Sequence, residues 1–217
     1  MRAERLVPPV TLTGRYVELV PLEPAHATGL HRAARDPEVG RFLVAPVGAT
    51  VTQAEALVGL LLSRQAAGTD LPFTTRLRAD GRIVGMTRFL HIDPENDSVE
   101  IGGTFVESTL WRTPINTDAK LAMLRYAFET ADAHRVTLQT DLRNTRSQAA
   151  IARLGAVREG LHREDRHLST GYYRSSVVFS ILAGEWPQVR HRLETALERP
   201  WSPPAPDAPS GPEAARQ

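Results

Sequence analysis

Four features of this 217-residue sequence bear on chemistry. The first is an absence: with no cysteine, disulfides, thiolate metal sites and a cysteine nucleophile are all excluded. The second is a set of seven histidines. The closest to a cluster, His162 and His167, lacks the carboxylate and cysteine company of a metal site, so no metal is expected. The third is the stretch 111–120, in which Trp111, Arg112, Thr113, Pro114 and Ile115 lead into a helix that Asn116 or Thr117 can cap. Unpaired N–H groups and the dipole at such a helix start favour an anion such as a diphosphate, and Arg112 adds charge. The fourth is Glu100, a carboxylate inside the run 99–106 of apolar residues, two glycines and a threonine. Burial with few partners would raise its pKa towards that of a useful base. Phosphate-loop and dinucleotide fingerprints are absent.

These residues need elements to hold them, and the hydrophobic periodicity supplies a consistent set. Residues 10–20 alternate around Gly14-Arg15 and read as a pair of short strands, counted together as the first strand region. Residues 24–34 and 50–67 carry apolar stripes at helical spacing, the second capped by Thr50 or Thr52 and followed by Gly68. Strands are predicted over 72–78, 82–92 and 98–106, the first two joined at Asp80-Gly81. A helix follows from Asn116 to about Asp132, then a buried strand over 136–142 and a short helix over 147–154 stopped by Gly155. A final hairpin, 157–168 and 172–182, turns at 169–171. The order implies an α+β fold rather than a doubly wound sheet. One catalytic domain over 1–185, a helical extension over 186–199 and a disordered Pro/Ala-rich tail over 200–217 are expected.

A formal net charge of +1, from 26 Lys and Arg against 25 Asp and Glu, offers no global field for nucleic acid or an anionic membrane. No window approaches the ~20 apolar residues of a bilayer span, and the first five residues are not followed by a signal-peptide apolar run, so a cytoplasmic protein is expected.

Three stretches together carry a family resemblance: 99–106, 111–120, and Arg143-Asn144-Thr145-Arg146-Ser147 through Arg153-Leu154-Gly155-Ala156-Val157-Arg158-Glu159-Gly160. With Ala127-Phe128 and His134-Arg135-Val136 they resemble, over roughly residues 10–183, the GNAT superfamily of N-acetyltransferases. The third stretch resembles the Rim-type (RimJ/RimL-like) ribosomal-protein N-terminal acetyltransferases. The resemblance implies a mixed, mostly antiparallel seven-stranded sheet with about four helices on its faces, and acetyl-CoA as co-substrate without a metal. It implies that Phe105 and Val106 offer backbone groups to the pantetheine arm, that Arg112, Thr113, Ile115, Asn116 and Thr117 hold the diphosphate, and that Asn144 and Ser147 orient the arm. Glu100 is the candidate base and Ser147 the candidate proton donor to the departing thiolate.

The sequence departs from the family pattern at three places. The two glycines of the usual diphosphate loop fall near Arg112 and Pro114, and Pro114 has no N–H to give. The tyrosine that many members use as an acid falls near Ile151, and the acidic residue of the Rim-type final hairpin falls near Arg166. The expected function is direct acetyl transfer to an amine, either a protein N-terminus or a small molecule. The alternative is a non-catalytic acyl-CoA-binding or partner-binding module on the same fold. Acceptor choice is expected in the helices of 24–67, with Glu18, Glu23, Asp36 and Glu38 as a candidate acidic cleft. A homodimer through the final hairpin or the Trp186 helix is compatible with the sequence.

Overall fold

Among the described residues eight strands form one sheet: β1 (Leu12–Thr13), β2 (Val17–Pro21), β3 (Asp70–Leu77), β4 (Ile83–Asp93), β5 (Ser98–Val106), β6 (Arg135–Asp141), β7 (Val157–His167) and β8 (Tyr173–Leu182). The structure is a computed structural model that describes Leu6, residues 8–168 and residues 170–204. The spatial order is β1-β2-β3-β4-β5-β6-β8-β7, and neighbours are antiparallel except β5 and β6. The eighth strand is β1, a two-residue segment that pairs back on β2 across the Gly14 turn. The helices are α1 (Ala27–Ala33), α2 (Pro37–Gly40), α3 (Val51–Ala66), α4 (Ile115–Arg125), α5 (Thr145–Leu154) and α6 (Trp186–Leu197). Among the described residues six helices stand where about four are expected, because α2, a single turn whose Asp36 cap accepts from Glu38 N–H at 3.0 Å, carries too short a pattern to read, and α6 was assigned to an extension.

Period-two alternation divides the sheet's residues between two faces. Phe73, Phe89, Ile101, Leu138 and Val177 meet α4, α5 and α6 in one core, while Met86 and Phe105 meet α1 and α3 in the other. The expected extension over 186–199 is part of the first core: Trp186 stacks on Phe128 at 5.4 Å, and Val189, Leu193 and Leu197 are buried. Trp201, within the expected tail, packs edge-on against Tyr16 at 5.4 Å. Residues 205–217, the rest of that tail, lie outside the described residues. Among the described residues no helix is long and apolar enough to cross a membrane.

Helix α4 is buried along most of its length, and its one acidic residue fixes the chain entry into β2. The Asp118 carboxylate, 1% exposed, accepts the backbone N–H groups of Arg15, Tyr16 and Val17 at 2.9, 2.7 and 3.0 Å. A Cβ at Gly14 would lie 2.4 Å from Asp118 Oδ2, which is why the turn needs glycine.

Two irregularities in β5 create the site. The ladder with β4 runs Arg88↔Gly102 and then Met86↔Phe105, so β5 holds one extra residue at Gly103-Thr104. Gly103 takes φ +57°, and the bulge turns Thr104 towards α4 instead of leaving it on the Glu100 face. On the other edge, pairing with β6 ends at Glu100↔Thr137 although both strands continue. The two strands therefore part.

Candidate active site

The gap between the parted strands is a cleft of about 320 Å³ that reaches both faces of the sheet. Its sides are the 102–106 segment of β5 and the 138–140 segment of β6, and the starts of α4 and α5 close one end. A shallower groove of about 710 Å³ over the 91–95 turn shares Glu100 and Gln139 with it.

Of the residues singled out from sequence, Glu100, Phe105, Val106, Arg112, Thr113, Asn116, Thr117, Asn144 and Ser147 all line this cleft. Ile115 does not: its side chain is fully buried in the core, and only its N–H approaches Thr113 Oγ1 at 3.5 Å. Phe105 puts its ring into the α1/α3 core and its carbonyl against Gly85 of β4. Glu107 N–H likewise donates to Val84 O of β4 at 2.8 Å. Alternation therefore turns the backbone groups of Val106, not those of Phe105, towards the cleft. Consistent with this, Val106 O accepts the indole N–H of Trp111 at 2.8 Å.

Helix α4 starts at Ile115, ahead of the expected cap, because Pro114 supplies a preset φ and its carbonyl accepts Asp118 N–H at 2.9 Å. Asn116 and Thr117 therefore sit in the first turn, where backbone N–H groups have no intrahelical acceptor. Arg112 adopts φ +64°, so the loop keeps a left-handed bend at a position where the family pattern has glycine. At the second helix start, Asn144 Oδ1 accepts Ser147 N–H at 3.0 Å, which makes Asn144 the helix cap as well as a cleft residue. The Arg146 guanidinium lies 3.4 Å over the Trp111 ring and bridges the two helix starts. Burial lowers its pKa, offset in part by Glu38 and Asp36.

Glu100 is 6% exposed, and the expectation of few partners needs correction. His91 Nδ1 lies 2.9 Å from Oε2, and Gln139 Nε2 donates to the same oxygen at 3.2 Å. The hydrogen bond to Glu100 raises the His91 pKa against the opposing effect of burial. Oε1 lies over Gly102, where a Cβ would come within 3.1 Å of it. His91 itself is half in solvent and has φ +49°, so it connects the buried carboxylate to the open groove.

Several site residues escaped sequence reasoning. Lys120 is 4% exposed, with Nζ donating to Thr104 Oγ1 at 2.7 Å and Thr87 Oγ1 at 3.0 Å. Burial pulls its pKa down from 10.5 to about 7. The only signal was a lysine interrupting a helix otherwise apolar from Ala119 to Leu124. On the opposite face the cleft is lined by Arg88, Arg166 and Arg174. Of the four acids named as candidates for an acidic acceptor cleft, Glu38 alone lines the cleft, and it is paired with Arg41 at 3.1 Å. Ile151 and Arg166, the positions that depart from the family pattern, both face the cleft.

The profile of the Acetyltransferase (GNAT) domain matches residues 17–157. Among curated proteins, the "Putative ribosomal N-acetyltransferase YdaF" of Bacillus subtilis (strain 168) is 30% identical over 107 residues, 49% of this chain and 57% of that protein's length. Among solved structures, a "putative acetyltransferase" from T. thermophilus is 40% identical with a TM-score of 0.79, covering 87% of this chain and 97% of the other. Mycobacterium smegmatis RimJ, solved in complex with CoA-disulfide, is 26% identical with a TM-score of 0.74, covering 87% and 93%.

Proposed function

Because the chain belongs to the GNAT acetyltransferase family, we propose that it transfers acetyl from acetyl-CoA directly to an amine nitrogen within a ternary complex. The observation that carries this reading is the parting of β5 from β6 beyond Glu100↔Thr137, which opens one cleft to both faces of the sheet. The residues present fit acetyl-CoA. The first-turn amides of Asn116 and Thr117, with Arg112 and Arg146 beside them, are donors for a diphosphate, and the Val106 N–H is a donor for an acyl oxygen. The complex of the RimJ relative with a CoA disulfide supports the same choice. When bound, acetyl-CoA supplies an activated thioester.

The amine must lose a proton, since alkylamines are mostly protonated at neutral pH. Glu100 takes it at Oε1, with its other oxygen held by His91 Nδ1, and releases it to solvent through the open groove that the two residues line. Ser147, in the first turn of α5 and lining the cleft, returns a proton to the leaving sulfur. Lys120 and the hydroxyls of Thr87 and Thr104 form the polar floor beneath the point where the strands part.

The test is steady-state thiol release together with calorimetry of acetyl-CoA binding. Glu100→Gln and Ser147→Ala should each lower kcat by about 10²-fold or more, with a smaller change in the KM for acetyl-CoA. Unchanged kcat in both variants removes the two assignments. Absence of binding heat with coenzyme A or its acyl forms removes the proposal itself.

A further inference from the structure

On the sheet face opposite α4 and α5, Arg88 of β4, Glu100 of β5, Gln139 of β6, Arg166 of β7 and Arg174 of β8 converge on the cleft. Each of Arg88, Glu100 and Gln139 is a strand neighbour of a residue buried in the opposite core, which fixes its direction. Arg166 and Arg174 are cross-strand partners.

Arg174 is 6% exposed, yet its guanidinium makes no ion pair or hydrogen bond to any described residue, and its Nε is buried without a partner. The nearby acids are engaged elsewhere. Asp141, on the adjacent strand, is held by Arg143 through Nε and Nη2, both at 3.1 Å. Asp165 lies 3.7 Å from Arg166, and Asp70 lies 3.2 Å from Arg88. Burial lowers the pKa of Arg174, an effect Asp141, Asp165 and Glu100 offset only in part. A buried cation without a partner anion is strongly unfavourable, and a guanidinium fork open to a cleft matches the two oxygens of a carboxylate.

We propose that the acceptor is an amine carrying a carboxylate near its reactive nitrogen, with the carboxylate held by Arg174, flanked by Arg88 and Arg166, and the nitrogen directed to Glu100. This rests on the acetyl-transfer reading of the same cleft and adds the acceptor's chemical class. Two sources share that chemistry: a free amino acid, and a peptide N-terminus followed by an acidic residue.

Thiol release is measured with acetyl-CoA and matched acceptors: amino acids against their C-terminal amides, and tripeptides with Asp against Asn at the second position. The acid of one pair should be favoured over its neutral partner by roughly 10- to 100-fold in kcat/KM, as expected for a charge-assisted pair. The pair showing the preference identifies the source. In Arg174→Gln the ratio should collapse towards one, and Arg174→Lys should restore part of it. Equal rates for acid and neutral partners, or a preference unaltered in Arg174→Gln, overturn the proposal.

A second readout needs no turnover. N-acetylated products of the same acceptors should raise the melting temperature of the parent in the presence of coenzyme A, and fail to do so for Arg174→Gln. If coenzyme A binds but neither protein distinguishes charged from neutral products, the acceptor assignment falls while the cofactor site stands. If coenzyme A does not bind, the acetyl-transfer reading falls first.

Discussion

Lys120 permits a quantitative test of how the cleft is built. Its ammonium is enclosed by α4, β4 and β5 with two hydroxyls and no carboxylate as its described partners. Each tenfold change in proton affinity is worth about 1.4 kcal/mol, so the fall from 10.5 to about 7 corresponds to about 5 kcal/mol of burial cost for the charged form. Below about pH 7 both folded and unfolded chains carry the proton, and the full cost is present. Between that pH and 10.5 only the unfolded chain is protonated, so stability rises as pH rises, and above 10.5 the cost is gone.

Lys120→Met keeps most of the unbranched side chain, one atom shorter, and removes the titration. The Thr87 hydroxyl it leaves behind still has Thr104 Oγ1 at 2.8 Å and Met123 Sδ at 3.4 Å. Urea unfolding of both proteins, followed through the three tryptophans, is compared at pH 6 and pH 9. Other titrating groups are common to the two and cancel in the difference. The parent should gain about 2–3 kcal/mol relative to the variant between these pH values. Parallel stability curves would refute the reasoning: they would mean that Lys120 keeps an ordinary proton affinity through water or an unrecognised anion.

Asp118→Ala should destabilise the protein by about 3–5 kcal/mol at neutral pH, because three backbone N–H groups lose a charged acceptor. A loss below about 1 kcal/mol in urea unfolding would show that water replaces the carboxylate. Trp111→Ala removes the surface beneath Arg146 and the bond to Val106 O. It should weaken acetyl-CoA binding by roughly tenfold in calorimetry while leaving kcat nearly intact. A fall in kcat at unchanged affinity would place Trp111 with the chemistry rather than the cofactor.

Much of the frame was legible because long strands and strongly patterned helices announce themselves locally. Residues 98–106 read as β5 from their own sequence, and α3 spans Val51–Ala66 with Thr50 as its cap, accepting Gln53 N–H at 3.2 Å. What stayed hidden depends on contacts distant in sequence. Gly102-Gly103 does not declare which glycine takes positive φ, and therefore does not show that Thr104 changes face. Glu100 looked isolated because His91 reaches it across a turn and Gln139 from β6. Arg174 lies on a strand whose alternation is plain, but only the sheet order brings Arg166, Asp141 and Glu100 around it. Of the candidate acids for an acceptor cleft only Glu38 lines the gap: Glu18 sits on β2 and Glu23 just ahead of α1, and only the sheet order shows that both lie away from it.

The bulge in β5 also constrains how this chain can change. Deleting one residue at Gly103 would give β4 and β5 an uninterrupted ladder, a gain by backbone pairing alone. The same deletion would leave Thr104 opposite Thr87 beside Lys120 and Phe105 opposite Met86, so neither side chain would change face. What shortening the strand takes away is the one-residue offset, with its left-handed bend, that separates Glu100 from Val106 along the cleft wall.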